Sequence, residues 1–162
     1  MFQLGVNECI KQFKKLYPHI HFDVYLTENT VDLMDAQFDL ALRITQKVAD
    51  GLIARPVCDI ESIFCAHPHY LQDHTPLSHP SQLIQHECIA HHTHNQYWTL
   101  FDTDQQPQNY PLNVTFKSND VIALYQMCLK AEGIAMLPTL LVRQDIAQQR
   151  LQLVFTDFLH LT

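Results

Sequence analysis

The densest chemistry in this sequence lies between residues 86 and 94, where His86, Cys88, His91, His92 and His94 crowd together. Histidine and cysteine are zinc ligands, and structural zinc needs three or four of them converging tetrahedrally. The spacing fits no standard finger. On a strand, His86 and Cys88 share a face with Ala90, while His91 and His92 point oppositely. A polar loop is therefore a better reading than a metal site, and no metal or cofactor is expected. Catalytic patterns are missing too. There is no G-x-S-x-G, no H-E-x-x-H and no Cys/His pairing at catalytic spacing. With three glycines in 162 residues, no G-x-G-x-x-G and no P-loop can be written. So few glycines also predict few positions with positive φ. The expectation is a binding protein and not an enzyme.

Composition narrows the partners. Apolar residues make up 47% of the chain and charged residues 17%, below the usual quarter or so. Net charge is −7 with histidine neutral. Lysine and arginine are scattered, so no basic face is available for nucleic acid. The eleven histidines gain charge as pH falls through about 6.5, bringing the net charge toward zero in mild acid. The five cysteines are odd in number and dispersed, which argues against a disulfide framework and for a reducing compartment. Cys65 reads as a buried structural thiol, and Trp98 as core. No basic segment followed by an apolar run opens the chain, and no stretch of 18 apolar residues occurs. A cytoplasmic setting without membrane contact is expected.

The elements that must position these residues are legible as alternating periodicities. Glu8 to Leu16 reads as a helix ended by Pro18. Ile20, Phe22, Val24 and Leu26 alternate with polar neighbours, a period-two strand. Phe38 to Arg43 is a second strand, and Leu52 to Val57 and Ser62 to Ala66 are further extended pieces. Pro68 opens a short helix. Cys88 to Ala90 is a strand, Tyr97 to Phe101 is extended or turn-like, and Leu112 to Phe116 alternates. Ser118-Asn119-Asp120 caps a helix from Val121 to Ala131, with Gly133 as its stop. Ile134 to Leu137 is a strand, Pro138 opens another helix, and Leu151 to Phe155 is a last strand. Strand and helix alternate, which predicts an α/β fold with mainly parallel pairing.

In such folds ligands bind beyond the carboxyl ends of the strands. That rule selects Thr27, Glu28 and Asn29 after the first strand, and Arg43 and Ile44 at the end of the second. It also selects His91 and His92 after residues 88–90, and Ser118 and Asn119 before the capped helix. Arg43 could clamp a carboxylate through two parallel hydrogen bonds; the competing role is an ion pair with Asp39 or Glu28. For Thr27, Asn29, Ser118 and Asn119 plain helix capping is the stronger reading, with ligand contact as the alternative. Asp120 would repel an anion there.

Read together, the pieces resemble the effector-binding domain of LysR-type transcriptional regulators. The matching residues are Phe13-x-x-x-Tyr17-Pro18-x-Ile20, Asp32-Leu33 leading to Phe38-Asp39-Leu40-Ala41-Leu42-Arg43, and Leu52-Ile53-Ala54-Arg55-Pro56. They continue through Cys65-Ala66-His67-Pro68-x-Tyr70-Leu71, Pro80-x-x-Leu83-x-x-His86-x-Cys88-Ile89 and Ser118-Asn119-Asp120. Gly133-Ile134-Ala135-Met136-Leu137-Pro138 and Leu151-x-x-Val154-Phe155 complete the set. The resemblance implies a two-lobed, type II periplasmic-binding-protein-like fold, each lobe a mixed, mostly parallel sheet flanked by helices. Residues 1–66 with 152–162 would form lobe I, and residues 67–151 lobe II. The chain would cross near Cys65-Ala66-His67 and near Leu151-Gln152-Leu153. His67, at the first crossing, joins the effector-binding set, with a satisfied hinge residue as its alternative. The family's first strand should precede the opening helix, so lobe I is expected to lack an interior strand. The resemblance further implies a small-molecule effector, a carboxylate or an aromatic metabolite, held between the lobes, and a homodimer or tetramer. DNA would be contacted only through a helix-turn-helix that these residues do not include. A solute-binding protein of the same fold is the alternative.

Overall fold

The computed structural model describes residues 5–27, 38–45, 51–93, 96–101 and 106–155. The chain divides into two compact units, residues 1–60 and residues 61–162.

In the first unit the helix appears where the pattern placed it, as α1 (Val6–Leu16). Glu8 in its first turn and Lys14 and Lys15 in its last oppose the helix dipole favourably. Tyr17 takes a non-helical conformation, as a residue preceding proline must. Phe13 then packs its ring against Tyr17 and Phe22, with centroids 4.7 and 5.8 Å away. The expected strands at 19–26 and 38–43 do not form: the described residues there carry no ladder. Alternation says which face of a strand would be buried, but a strand exists only when a neighbour accepts its hydrogen bonds. Ile20, Phe22 and Val24 are accordingly 43, 42 and 47% exposed.

The second unit holds a five-stranded mixed sheet. Its strands are β1 (Ser62–Ala66), β2 (Glu87–His91), β5 (Asn113–Ser118), β6 (Ile134–Pro138) and β7 (Gln152–Val154), in the order β5-β2-β6-β1-β7. β2 pairs in parallel with β5 and β6, while β1 runs antiparallel to both β6 and β7. The sheet is thus mixed, as the resemblance implied, with the two pairings of β1 antiparallel where strand–helix alternation alone suggested mainly parallel ones; hydrophobic periodicity marks strands but not their direction. A separate hairpin joins β3 (Tyr97–Phe101) and β4 (Pro107–Pro111).

The strands alternate two cores. Phe64, Ala66, Cys88 and Ile134 face one side, where α2 (Pro68–Asp73), a 3-10 helix (Pro80–Gln85) and the hairpin supply Tyr70, Leu83, Trp98 and Leu100. Cys65, Ile89, Ala135 and Leu137 face the other, against Leu124 and Cys128 of α3 (Val121–Leu129) and Val142 of α4 (Thr139–Ala147). Cys65 and Trp98 are fully buried, as expected.

Helix ends depart from the glycine reading. α3 and α4 both close with the Schellman pattern, Glu132 N–H to Met127 O and Arg150 N–H to Asp145 O. The left-handed residue in each is Ala131 or Gln149, not glycine, with φ of 64° and 57°. Phe155 is a third non-glycine residue with positive φ, so scarcity of glycine did not exclude such positions. Gly133 serves another purpose: a Cβ there would lie 2.5 Å from the Glu87 carbonyl oxygen, so it lets β6 approach β2. Between the helices, the buried Asp145 carboxylate accepts from Tyr125 Oη at 2.9 Å and Arg150 Nε at 2.7 Å. Burial first, then the bond to Asp145, pushes the Tyr125 phenol above its ordinary range.

Candidate functional site

Two parallel neighbours, β2 and β5, deliver their carboxyl ends side by side. His91 and Ser118 are register partners, and His92 N–H donates to Ser118 O at 3.0 Å. A shift in register between Cys88 and Ile89 carries this alignment, because Val114 and then Phe116 oppose consecutive residues of β2. Ser118 Oγ accepts from Asp120 N–H at 3.0 Å, and Asp120 Oδ1 accepts from Ile122 N–H at 2.9 Å. Asp120 is therefore the cap of α3, as the sequence pattern anticipated, and Asn119 lies between strand end and helix with its side chain exposed.

His91 is held by opposed partners. Its Nε2 lies 3.1 Å from the Asn119 carbonyl oxygen, which can only accept, so Nε2 carries hydrogen. Its Nδ1 lies 2.8 Å from Thr93 Oγ1, which donates to it in the neutral ring. His92 packs its ring 4.6 Å from that of His91 and is exposed. The result is an open polar rim: a fixed imidazole, a second imidazole beside it, an exposed amide and a serine hydroxyl. It can hydrogen-bond a small polar ligand and stack on a planar one.

The structure thus brings together four expected site residues, His91, His92, Ser118 and Asn119. His67 is not among them. β1 runs opposite to β6, so His67 follows β1 at the other end of the sheet from His91. There its side chain accepts from His69 N–H at 3.2 Å and caps α2. Thr27, Arg43 and Ile44 are exposed residues of the first unit, without the strand ends assumed for them. Glu28 and Asn29 lie outside the described residues. His86 leaves the suspected metal group altogether: it is buried near Tyr70. Among the described residues no group of three or more histidine, cysteine or acidic side chains is arranged to hold a metal ion.

One candidate escaped the sequence reading. Thr139 opens α4 directly after the carboxyl end of β6, which is parallel to β2, so it stands at the same sheet end as His91. Its buried Oγ1 has no hydrogen-bond partner. The strand-end rule applied to residues 134–138 would have found it.

This architecture defines a class, an α/β module of the type II periplasmic-binding-protein-like kind, and comparison with known proteins agrees. Residues 6–161 match the LysR substrate binding domain. The chain is 29% identical over 147 residues to the HTH-type transcriptional regulator PtxR of Pseudomonas aeruginosa, covering 90% of this chain and 47% of that protein. It is 30% identical over 140 residues to the HTH-type transcriptional regulator CrgA of Neisseria meningitidis, covering 86% and 47%. The solved structure of CrgA superposes with a TM-score of 0.82 at 28% identity, over 97% of this chain and 53% of that one. The full-length Vibrio cholerae virulence activator AphB shares the fold, with a TM-score of 0.82 at 23% identity, over 93% and 51%. The chain belongs to the LysR substrate-binding-domain family. It spans about half the length of the curated relatives it matches. Among the described residues no helix is long and apolar enough to cross a membrane.

Proposed function

We propose that this chain is the ligand-sensing regulatory domain of a LysR-type transcription factor, which binds a small-molecule effector and performs no chemistry on it. The observation that carries this reading is the juxtaposition of His91, His92, Ser118 and Asn119 at the carboxyl ends of two parallel strands, beside the N-terminus of α3. The effector is a small carboxylate or an aromatic metabolite. His92 and Asn119 offer hydrogen bonds and a stacking face, while Asp120 disfavours a strongly anionic ligand. Binding shifts an existing conformational equilibrium. In the cell the domain works in the cytoplasm as a homodimer or tetramer, and DNA is read by a helix-turn-helix outside these residues.

The lobe division 1–66 with 152–162 against 67–151 belongs to the same proposal. Its two crossings were expected near Cys65 and Leu153, and these are register partners on antiparallel β1 and β7. That pairing supports two crossings running side by side. Thr27, Arg43 and Ile44 stay candidates on the first unit, to be tested singly.

The test is a thermal-shift screen of small carboxylic acids and aromatic metabolites, followed by calorimetry of any stabilising compound. His92→Ala and Asn119→Ala should each weaken binding about tenfold, the loss of roughly one good hydrogen bond, with little change in melting temperature. A ligand bound with unchanged affinity by both variants places the site elsewhere, and turnover of the ligand overturns the non-enzymatic reading.

A further inference from the structure

At the other end of β2 lies a second histidine group, wired differently, in which Tyr70 and His86 are buried while His74 and Glu87 are partly exposed. Tyr70 Oη donates to Glu87 Oε2 at 2.6 Å and accepts from Glu87 N–H at 2.9 Å. Its hydrogen is thereby committed. His86 Nδ1, 3.3 Å from the same oxygen, must then donate to it. In the neutral ring His86 Nε2 is an acceptor, and Thr75 Oγ1 lies 3.4 Å away to supply the hydrogen. His86 is 0% exposed. His74 stacks on Tyr70, with ring centroids 4.0 Å apart, and its Nδ1 donates to the Tyr70 carbonyl oxygen at 2.8 Å. The opposite nitrogen, Nε2, faces Glu87 Oε2 at 3.4 Å, and only the cationic ring donates to both of these acceptors. The two imidazoles stand 6.2 Å apart.

The group therefore holds a neutral His86 ring better than a charged one, because a protonated Nε2 would be buried with only the Thr75 hydroxyl facing it. A proton on His74 sits between a carbonyl and a carboxylate. A proton on His86 makes a buried cation 6.2 Å from the His74 ring. The groups facing the pair are Tyr70 from α2, Thr75 from the following loop, and Glu87 and the buried Cys88 thiol from β2. Asp73 precedes His74 in the chain and is exposed. Among the described residues, Glu87 is the anionic side chain in contact with the pair, and its Oε2 already accepts from Tyr70.

We propose that Tyr70, His74, His86 and Glu87 form a proton-operated latch that fastens α2 and residues 74–86 onto the start of β2, and that a proton taken up by His86 opens it. Burial first, then His74, holds the His86 imidazole below its ordinary range, while Glu87 opposes this weakly. A histidine lowered in the folded state contributes stability above its unfolded value of about 6.5, and that contribution is lost as pH falls toward the folded value. The Glu87 carboxyl is lowered chiefly by the Tyr70 hydrogen bond, so its own loss of stability begins only in the carboxylate range, at more acid pH. The window near and below about pH 6.5 thus belongs to histidine.

Hydrogen exchange of the 162-residue chain at pH 7.5 and 5.5, corrected for intrinsic rates, tests the latch. Amides of residues 70–86 should lose protection severalfold at the lower pH, while those of α3 and β6 hold theirs. His86→Gln, which keeps polar contacts but cannot take the proton, should abolish the difference. An identical pH response in wild type and His86→Gln overturns the proposal. Should that variant fail to fold, NMR titration of the wild-type histidine rings decides. His86 should titrate below an ordinary imidazole, in step with the loss of protection at 70–86. An ordinary or higher midpoint, or no coupling to exchange, overturns the latch.

Discussion

The two ends of β2 carry the same residue type and use it in opposite ways. At the carboxyl end, His91 and His92 sit on an open rim, and the His91 ring is held by a backbone carbonyl and a threonine hydroxyl. At the amino end, His86 is buried, with Tyr70 Oη at its Nδ1 and Thr75 Oγ1 at its Nε2. Burial, not residue type, separates a histidine that can meet a ligand from one that can only answer to protons. The cost of a buried charge is large when no counter-charge is free to meet it, and it is small at a solvated rim.

Substitutions that strain one end and spare the other sharpen this contrast. The largest effect is expected from Gly133→Ala. The residue sits at φ 148°, and the new Cβ would meet the Glu87 carbonyl at 2.5 Å. Strain plus displacement of β6 from β2 should cost on the order of 3 kcal/mol in denaturant unfolding. The damage should spread to the Tyr70–Glu87 bonds. A loss below about 0.5 kcal/mol, the ordinary scale of a surface change, would mean the close approach is not real. The smallest effect is expected from Thr93→Val at the open end. It removes the hydroxyl that meets His91 Nδ1 at 2.8 Å, on an exposed turn. Stability should change by less than about 0.5 kcal/mol, while the His91 ring resonances move. A large stability loss would show the rim to be structural, not a site.

A second contrast explains what the sequence could convey. The helix after Ser118-Asn119-Asp120 was legible because its cap and apolar face are local, and Asp120 does cap Ile122 N–H. Ser62–Ala66, Glu87–His91 and Ile134–Pro138 were legible because strands buried on both faces read as short apolar runs. Residues 19–26 showed an equally clear alternation and formed no ladder, because pairing is a property of the neighbour and not of the strand. The direction of β1 was hidden for the same reason. The β3–β4 hairpin was half seen, since Pro107 to Pro111 has no strand pattern and is ordered by its pairing with Tyr97–Phe101.

The site divides along the same line. Strand-end logic found His91, His92, Ser118 and Asn119, because each follows a strand that formed. It rested Arg43 and Ile44 on a strand that did not form, and His67, taken from the lobe crossing and not from a strand end, stands at the opposite end of the sheet from His91. The Tyr70–His86–Glu87 group was invisible. Its partners are 16 and 17 residues apart and are joined only when α2 folds back over β2.

The most direct test of the central claim is a two-dimensional amide NMR titration of the chain with a compound that stabilises it. The account expects shifts concentrated at His91, His92, Ser118, Asn119 and the first turn of α3, with Thr139 joining them. Shifts centred instead on the groove lined by Ile84, Gln96, Thr115 and Lys117, or on the Tyr70 end of β2, would contradict it.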